Sequence, residues 1–267
     1  VASRLDSILA YHRARAAADT RDTRRLLDRA GRCPDPPSLL DALVRPDGQP
    51  LRVIAEVKRR SPSAGPLAEQ LDPAELAGAY ARGGAAAVSV LTDEPHFGGS
   101  PDDVAAVRSA TALPVLRKDF TVCANDVADA RLMGASGVLL IVAALTKPEL
   151  RELLEVAELC GLTPLVEVHD EGEQLLALDL GALLVGVNQR DLATFVVDPT
   201  RAASLAARFP SDVVTVAESG IGDPEAAAAC AALGYDAVLV GEALVRAADP
   251  ATALEALRAP AGEGAAA

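Results

Sequence analysis

The chain is short of lysine, of aromatic rings, of paired cysteines and of any long apolar run. Its longest apolar stretch, GVLLIVAAL from Gly137 to Leu145, falls well below the ~20 residues that a membrane-spanning helix needs. No charged-then-apolar leader opens the sequence either, so no membrane partner is expected and the cytoplasm is the default location. Cys33, Cys123, Cys160 and Cys230 lie far apart with no C-x-x-C spacing, which argues against a zinc knuckle or a disulfide framework. They read as reduced filler. A formal net charge of -13 excludes a nucleic-acid partner, because phosphate backbones are held by basic faces that displace counterions. An anionic small molecule would have to be caught locally. Lysine occurs only at Lys58, Lys118 and Lys147. Arginine stays protonated whatever surrounds it, whereas a lysine pKa can be brought towards neutrality, so lysine is the cation suited to proton transfer.

What is present is apolar bulk: 267 residues, 50% of them hydrophobic, enough for one large domain or two small ones. From Val53 onward, short β-branched runs alternate with alanine- and leucine-rich segments of helical period. Eight strands are predicted: Val53 to Lys58, Ala86 to Leu91, Val115 to Phe120, Gly137 to Val142, Leu165 to His169, Leu183 to Asn188, Val213 to Glu218 and Ala237 to Gly241. Capping residues beside prolines mark helix starts at Asp72, Ser100, Thr146 and Asp223, and glycines mark helix ends at Gly83, Gly134, Gly161, Gly181 and Gly234. Eight such units in a chain of this length match a closed parallel barrel of about 250 residues better than an open doubly wound sheet. No G-x-G-x-x-G follows the first strand. The expectation is therefore a single α/β domain over 1–267, a (β/α)8 TIM barrel at 53–258. An N-terminal helical lid at 1–45 precedes it and a frayed tail at 259–267 follows. The lid rests on helical periodicity from Ser3 to Ala30, ended by the proline-rich CPDPPS at Cys33 to Ser38.

Barrel chemistry gathers at the carboxyl ends of the strands, and polar residues concentrate there. In VIAEVKRRSPSAG, Glu56 and Lys58 are two apart on a strand and so share a face. Taken alone, that pair fits a structural bridge as well as a working site. Lys118 and Glu167 on other strands favour the second, and Ser61, Asp119, His169, Asn188, Arg190 and Glu218 add to the polar residues at strand ends. ESGIGDPE from Glu218 and VGEAL from Val240 follow the seventh and eighth strands, where phosphate commonly binds, and Ser219, Gly220 and Gly241 are small enough to let backbone approach it. Phe97 and Phe120 are candidates to wall an apolar group. His96 and His169 are weaker acid–base candidates, and no histidine and carboxylate spacing suggests a metal. Arg59, Arg60 and Arg117 have the wrong parity for the barrel interior.

In order and spacing, IAEVKRRSPSAG, VSVLTDEPHFGGS, PVLRKDF, LLIVAAL, PLVEVHDE, GVNQRDLATFVVD, VAESGI and AVLVGEAL closely resemble the indole-3-glycerol phosphate synthase family of tryptophan biosynthesis, across nearly the whole barrel. The resemblance implies a phosphorylated small-molecule substrate, 1-(2-carboxyphenylamino)-1-deoxyribulose 5-phosphate, closed to indole-3-glycerol phosphate with loss of carbon dioxide and water. It implies no metal and no organic cofactor. Lys118 would be the general acid on the carbonyl, and Glu167 would remove a proton. Lys58 would assist loss of the hydroxyl, while Glu56 and Asn188 orient and tune. Arg190, Ser61 and Glu218 would meet polar substrate groups, Phe97 and Phe120 the aromatic ring, and Ser219, Gly220, Gly241 and the Glu242 backbone the phosphate. Three places depart from the family pattern: Thr121 to Asp126 after Phe120, Glu242 where serine is frequent, and Val245 where methionine is common. Two rival readings are a Schiff-base aldolase or lyase on the same scaffold and a non-catalytic phosphate-sugar binding protein. A monomer is the working expectation.

Overall fold

The protein is described by a computed structural model over residues 4–62, 64–192 and 194–258; the tail expected at 259–267 lies outside the described residues. Three helices come first, α1 (Arg4–Ala18), α2 (Thr23–Ala30) and α3 (Leu39–Leu43). Strand β1 (Arg52–Val57) leads into a small hairpin, β2 (Arg60–Ser61) and β3 (Gly65–Pro66), and then α4 (Pro73–Arg82). The order continues β4 (Ala87–Leu91), α5 (Glu94–Phe97), α6 (Pro101–Ala110), β5 (Val115–Lys118), α7 (Ala124–Leu132), β6 (Gly137–Ile141), α8 (Lys147–Leu159), β7 (Thr163–Val168) and α9 (Glu171–Asp179). It ends with β8 (Leu184–Asn188), α10 (Thr200–Ala206), β9 (Val214–Glu218), α11 (Pro224–Ala232), β10 (Ala237–Val240), α12 (Glu242–Arg246) and α13 (Pro250–Arg258). β1 and β4 to β10 close into one parallel barrel, β1 pairing with both β4 and β10.

The eight barrel strands fall where the β-branched runs predicted them, with ends shifted by a residue or two. Lys58, Phe120, Val142, His169 and Gly241 lie just past their strands rather than inside them, and β7 begins at Thr163. Side-chain alternation produces two cores. Ile54, Leu116, Leu139, Leu165, Leu184, Val216 and Leu239 fill the inside of the barrel. Val53, Val115, Val138, Val166, Val185 and Val238 face the helices. Each such buried side chain contributes about 1.5–3 kcal/mol. Asp72, Ser100, Thr146 and Asp223 cap α4, α6, α8 and α11 through their side chains, each ahead of a proline in the first turn. At the Gly83–Gly84 pair it is Gly84, with φ +81°, that takes the left-handed conformation, one residue beyond the predicted stop.

The N-terminal segment is not one lid. Only α1 lies at the carboxyl end of the barrel, where Ile8 joins the inner core and His12 is buried. α2 packs along α7, with Leu26 and Ala30 in the outer core. α3 closes the opposite end: Leu39 and Leu43 are fully buried in the inner core, and a Cβ on Gly137 at the start of β6 would collide with Leu39. Among the described residues no helix is long and apolar enough to cross a membrane.

Candidate active site

Inward parity on β1, β5, β7, β8 and β9 delivers Glu56, Lys58, Lys118, Glu167, Asn188 and Glu218 to one cavity of about 380 Å³ at the carboxyl end of the barrel. That volume suits a small organic ligand. Lys58 Nζ donates to Glu56 Oε1 at 2.6 Å, and Ser89 Oγ donates to Glu56 Oε2 at 3.4 Å. Lys118 Nζ sits between two carboxylates, 3.5 Å from Glu167 Oε2 and 3.3 Å from Glu218 Oε2. Asn188 Nδ2 donates to Glu167 Oε1 at 3.1 Å, and His169 Nε2 lies 3.4 Å from the same oxygen. Glu218 fits because position 186 is glycine: a Cβ there would collide with Glu218 Oε1.

Three buried carboxylates thus face two ammonium groups, and the surplus negative charge sets the protonation states. Burial works against a charged Lys118, yet Glu218, Glu167 and Glu56 together hold its pKa above the ordinary lysine value. The expected tunable lysine is therefore firmly an ammonium in the free protein. Burial also opposes ionisation of Glu167, but Lys118, His169 and Asn188 bring its carboxyl down to about 2. Glu56 is likewise lowered, Lys58 and Lys118 outweighing its burial. Burial pushes Glu218 up to about 7 against the pull of Lys118, and repulsion from Glu167 and Glu56 adds to it. His169 is part-buried, which opposes its charge, but Glu167 and Glu173 raise its imidazole to about 10, so it is held as a cation beside the Glu167 carboxylate.

The rim completes the cavity. Phe97 and Phe120 line it with ring centroids 6.4 Å apart. Ser61 and Arg190 line it as well, with the Arg190 Nη1 donating to the Phe195 carbonyl at 2.9 Å. After β9, Ser219 and Gly220 both take left-handed φ, 66° and 74°, and the Ser219 carbonyl is held by Gln189 Nε2 at 2.8 Å. Gly241 opens α12; a Cβ there would lie 2.6 Å from Glu56 Oε1 and 3.0 Å from Lys58 Nζ. The Glu242 carboxylate pairs with Arg246 at 3.1 Å, and Gly241, Glu242 and Ala243 line the cavity.

Every catalytic, substrate-binding and phosphate-binding residue nominated from the sequence lines this one cavity, whereas the weaker candidates His96 and His169 are not among its lining residues. Arg59 and Arg117 lie outside it, as parity predicted: Arg59 pairs with Asp103, and buried Arg117 binds Asp119 at 2.6 Å and the Asp126 carbonyl at 2.7 Å. Sequence reasoning missed Asp93, Leu192 and Phe195 on the wall, all in loops that carry no periodic signal. His96, a weaker acid–base candidate in the sequence, has its Nδ1 2.8 Å from Asp93 Oδ2 and its ring edge-on to Tyr11 at 5.6 Å. His12, from α1, approaches the same Asp93 oxygen with Nε2 at 3.3 Å. The stretch that departs from the family pattern, Thr121 to Asp126, forms the socket for α1: Arg15 binds Asp126 at 2.6 Å and Asn125 Nδ2 donates to Asp19 at 2.8 Å.

Comparison with known proteins places this geometry in context. A family model described as indole-3-glycerol phosphate synthase matches residues 5–257. Over 248 residues the chain is 52% identical to "Indole-3-glycerol phosphate synthase" of Parafrankia sp. (strain EAN1pec), covering 92% of this chain and 91% of that protein. Over 252 residues it is 49% identical to the protein of the same name from Mycolicibacterium smegmatis, covering 94% and 92%. Among solved structures it is similar to a 3-hexulose-6-phosphate synthase, with TM-score 0.62 and 18% identity over 78% of this chain and 98% of that one. It is also similar to thiamine phosphate pyrophosphorylase from Pyrococcus furiosus, with TM-score 0.59 and 20% identity over 78% and 94%. At those identities the two structures speak for the barrel alone.

Proposed function

We propose, from the premise that the chain belongs to the indole-3-glycerol phosphate synthase family, a residue-level account of how it closes 1-(2-carboxyphenylamino)-1-deoxyribulose 5-phosphate to indole-3-glycerol phosphate. The observation that carries the account is Lys118, a part-buried ammonium in contact with two buried carboxylates at the mouth of the barrel. Lys118 gives its proton to the ribulose carbonyl oxygen as the ring carbon bearing the carboxylate attacks the carbonyl carbon. The new carbon–carbon bond closes the five-membered ring, and loss of carbon dioxide restores the aromatic ring. Glu167, ionised and held by Asn188 and His169, then takes a proton from the closed ring. Lys58 protonates the departing hydroxyl, which leaves as water. Each positioned proton transfer contributes about 10²- to 10⁴-fold.

Around that centre, Phe97 and Phe120 flank the substrate's aromatic ring. Ser61 and Arg190 hold its polar groups, and Glu218 lends a carboxyl poised to gain or lose a proton near neutrality. The phosphate lies against the Ser219–Gly220 turn and the start of α12 at Gly241 and Glu242, where small residues expose backbone N–H groups. A Schiff-base reading is disfavoured by the same electrostatics: a nucleophilic lysine must be neutral, whereas Lys118 is held charged. The test is direct. Purified protein incubated with the substrate should produce indole fluorescence; a folded chain that produces none, or a borohydride-trapped adduct on Lys118 or Lys58, would overturn the account.

A further inference from the structure

We propose that His12, Asp93 and His96 bind one divalent transition-metal ion of the zinc class, which would staple helix α1 to the loop after β4. The three side chains offer donor atoms that all lie within 4.8 Å of one another. Zinc bonds to nitrogen and oxygen are about 2.0–2.1 Å, so neighbouring ligands of a tetrahedral ion stand about 3.3 Å apart. His12 Nε2 and Asp93 Oδ2 are 3.3 Å apart, and His96 Nδ1 is 2.8 Å from that oxygen and 3.1 Å from Asp93 Oδ1. A small spreading of the donors would admit the ion.

For a neutral His12, an ion satisfies the ring better than hydrogen bonds alone. A neutral imidazole donates from one nitrogen only. If His12 spends its N–H on Asp93 through Nε2, its Nδ1 becomes an acceptor, buried, without a hydrogen bond, and 3.9 Å from the Asp119 carboxylate. Two acceptors then face each other. With a metal on Nε2 the proton sits on Nδ1 and points at Asp119, the carboxylate–histidine–metal arrangement that orients ligating histidines generally. Asp119 is well fixed for that task, receiving Thr92 Oγ1 and Arg117 Nη2 at 2.6 Å and the Phe120 N–H at 2.8 Å. His96 is part-exposed, which provides an entry path, and a water would complete the fourth position.

Full-length protein stripped with a chelator and titrated with Co²⁺ should take up one equivalent and develop the visible d–d bands of a four-coordinate site, without a sulfur charge-transfer band. Zinc should displace the cobalt and raise the melting temperature in a concentration-dependent way. His96→Gln and His12→Gln, each checked for native circular dichroism, should weaken binding by about 100-fold or more, a loss at least as large as that from removing an outer partner. Absence of saturable binding would overturn the proposal. It fails equally if cobalt binds through sulfur, or if His96→Gln binds as the native protein does.

Discussion

Replacing Lys118 separates its charge from its proton. Nζ stands 3.5 Å from Glu167 and 3.3 Å from Glu218 inside the barrel. In Lys118→Arg the positive charge remains, so both carboxylates keep a counter-charge, but a guanidinium does not release a proton in the accessible pH range. Turnover should fall about 10²- to 10⁴-fold, about 3–5 kcal/mol on the barrier at 1.36 kcal/mol per decade, while KM changes far less because the phosphate is held elsewhere. In Lys118→Met the turnover loss should be similar, but stability should also drop. Removing one partner of a buried ion pair costs about 3–5 kcal/mol, here reduced to the extent that Glu167 or Glu218 takes up a proton instead. The assay is steady-state kinetics by product fluorescence alongside urea unfolding of all three proteins. A Lys118→Arg enzyme within about threefold of native kcat would refute the proton-transfer role, and equal stabilities for the two variants would refute the electrostatic picture.

Gly241→Ala places a methyl where Glu56 and Lys58 meet, so the pair must separate; kcat should fall by more than about tenfold, the scale of one displaced proton donor, with KM rising, as read by kinetics. His169→Gln removes the cation that helps hold the Glu167 carboxyl near 2; the acid limb of the kcat/KM profile should move to higher pH, and an unmoved limb would show that His169 does not act on Glu167. Glu218→Gln tests linkage. The Glu218 carboxyl is raised from 4.5 to about 7 on folding, so the native state binds that proton more tightly and the associated stability is present below pH 4.5 and lost as pH rises to about 7. The unfolding free energy of native protein minus that of Glu218→Gln should therefore decline across this window in urea titrations at stepped pH, and a flat difference would argue against the raised pKa.

How much of this was legible in the sequence follows from what leaves a periodic trace. Alternation put Glu56 and Lys58 on one face of the first strand, and a place at strand ends marked Lys118, Glu167, Asn188 and Glu218, because a closed parallel barrel gathers its chemistry at the carboxyl ends. Paired capping residues and prolines located the helix starts for an equally local reason. The hairpin of β2 and β3 was invisible, two residues per strand being too few to alternate. The meeting of His12 with Asp93, 81 residues apart, was invisible for the opposite reason: neither residue's neighbourhood records the other. Helical periodicity from Ser3 to Ala30 gave helices, but periodicity carries no address, so the division of α1, α2 and the unpredicted α3 among mouth, flank and floor came only from packing.

That division has a consequence for synthesis. The ribosome releases the first 45 residues before any surface that receives them exists, since Asp93, Asp126, the α7 flank and the floor beside Gly137 are all made later. Leu26, Leu39 and Leu43 must wait, greasy and unshielded, until roughly half the polypeptide has emerged. Nascent chains stalled before β6 should accordingly be the ones that protease digests first and holdase chaperones grip hardest, with both liabilities ending once Leu39 has somewhere to seat.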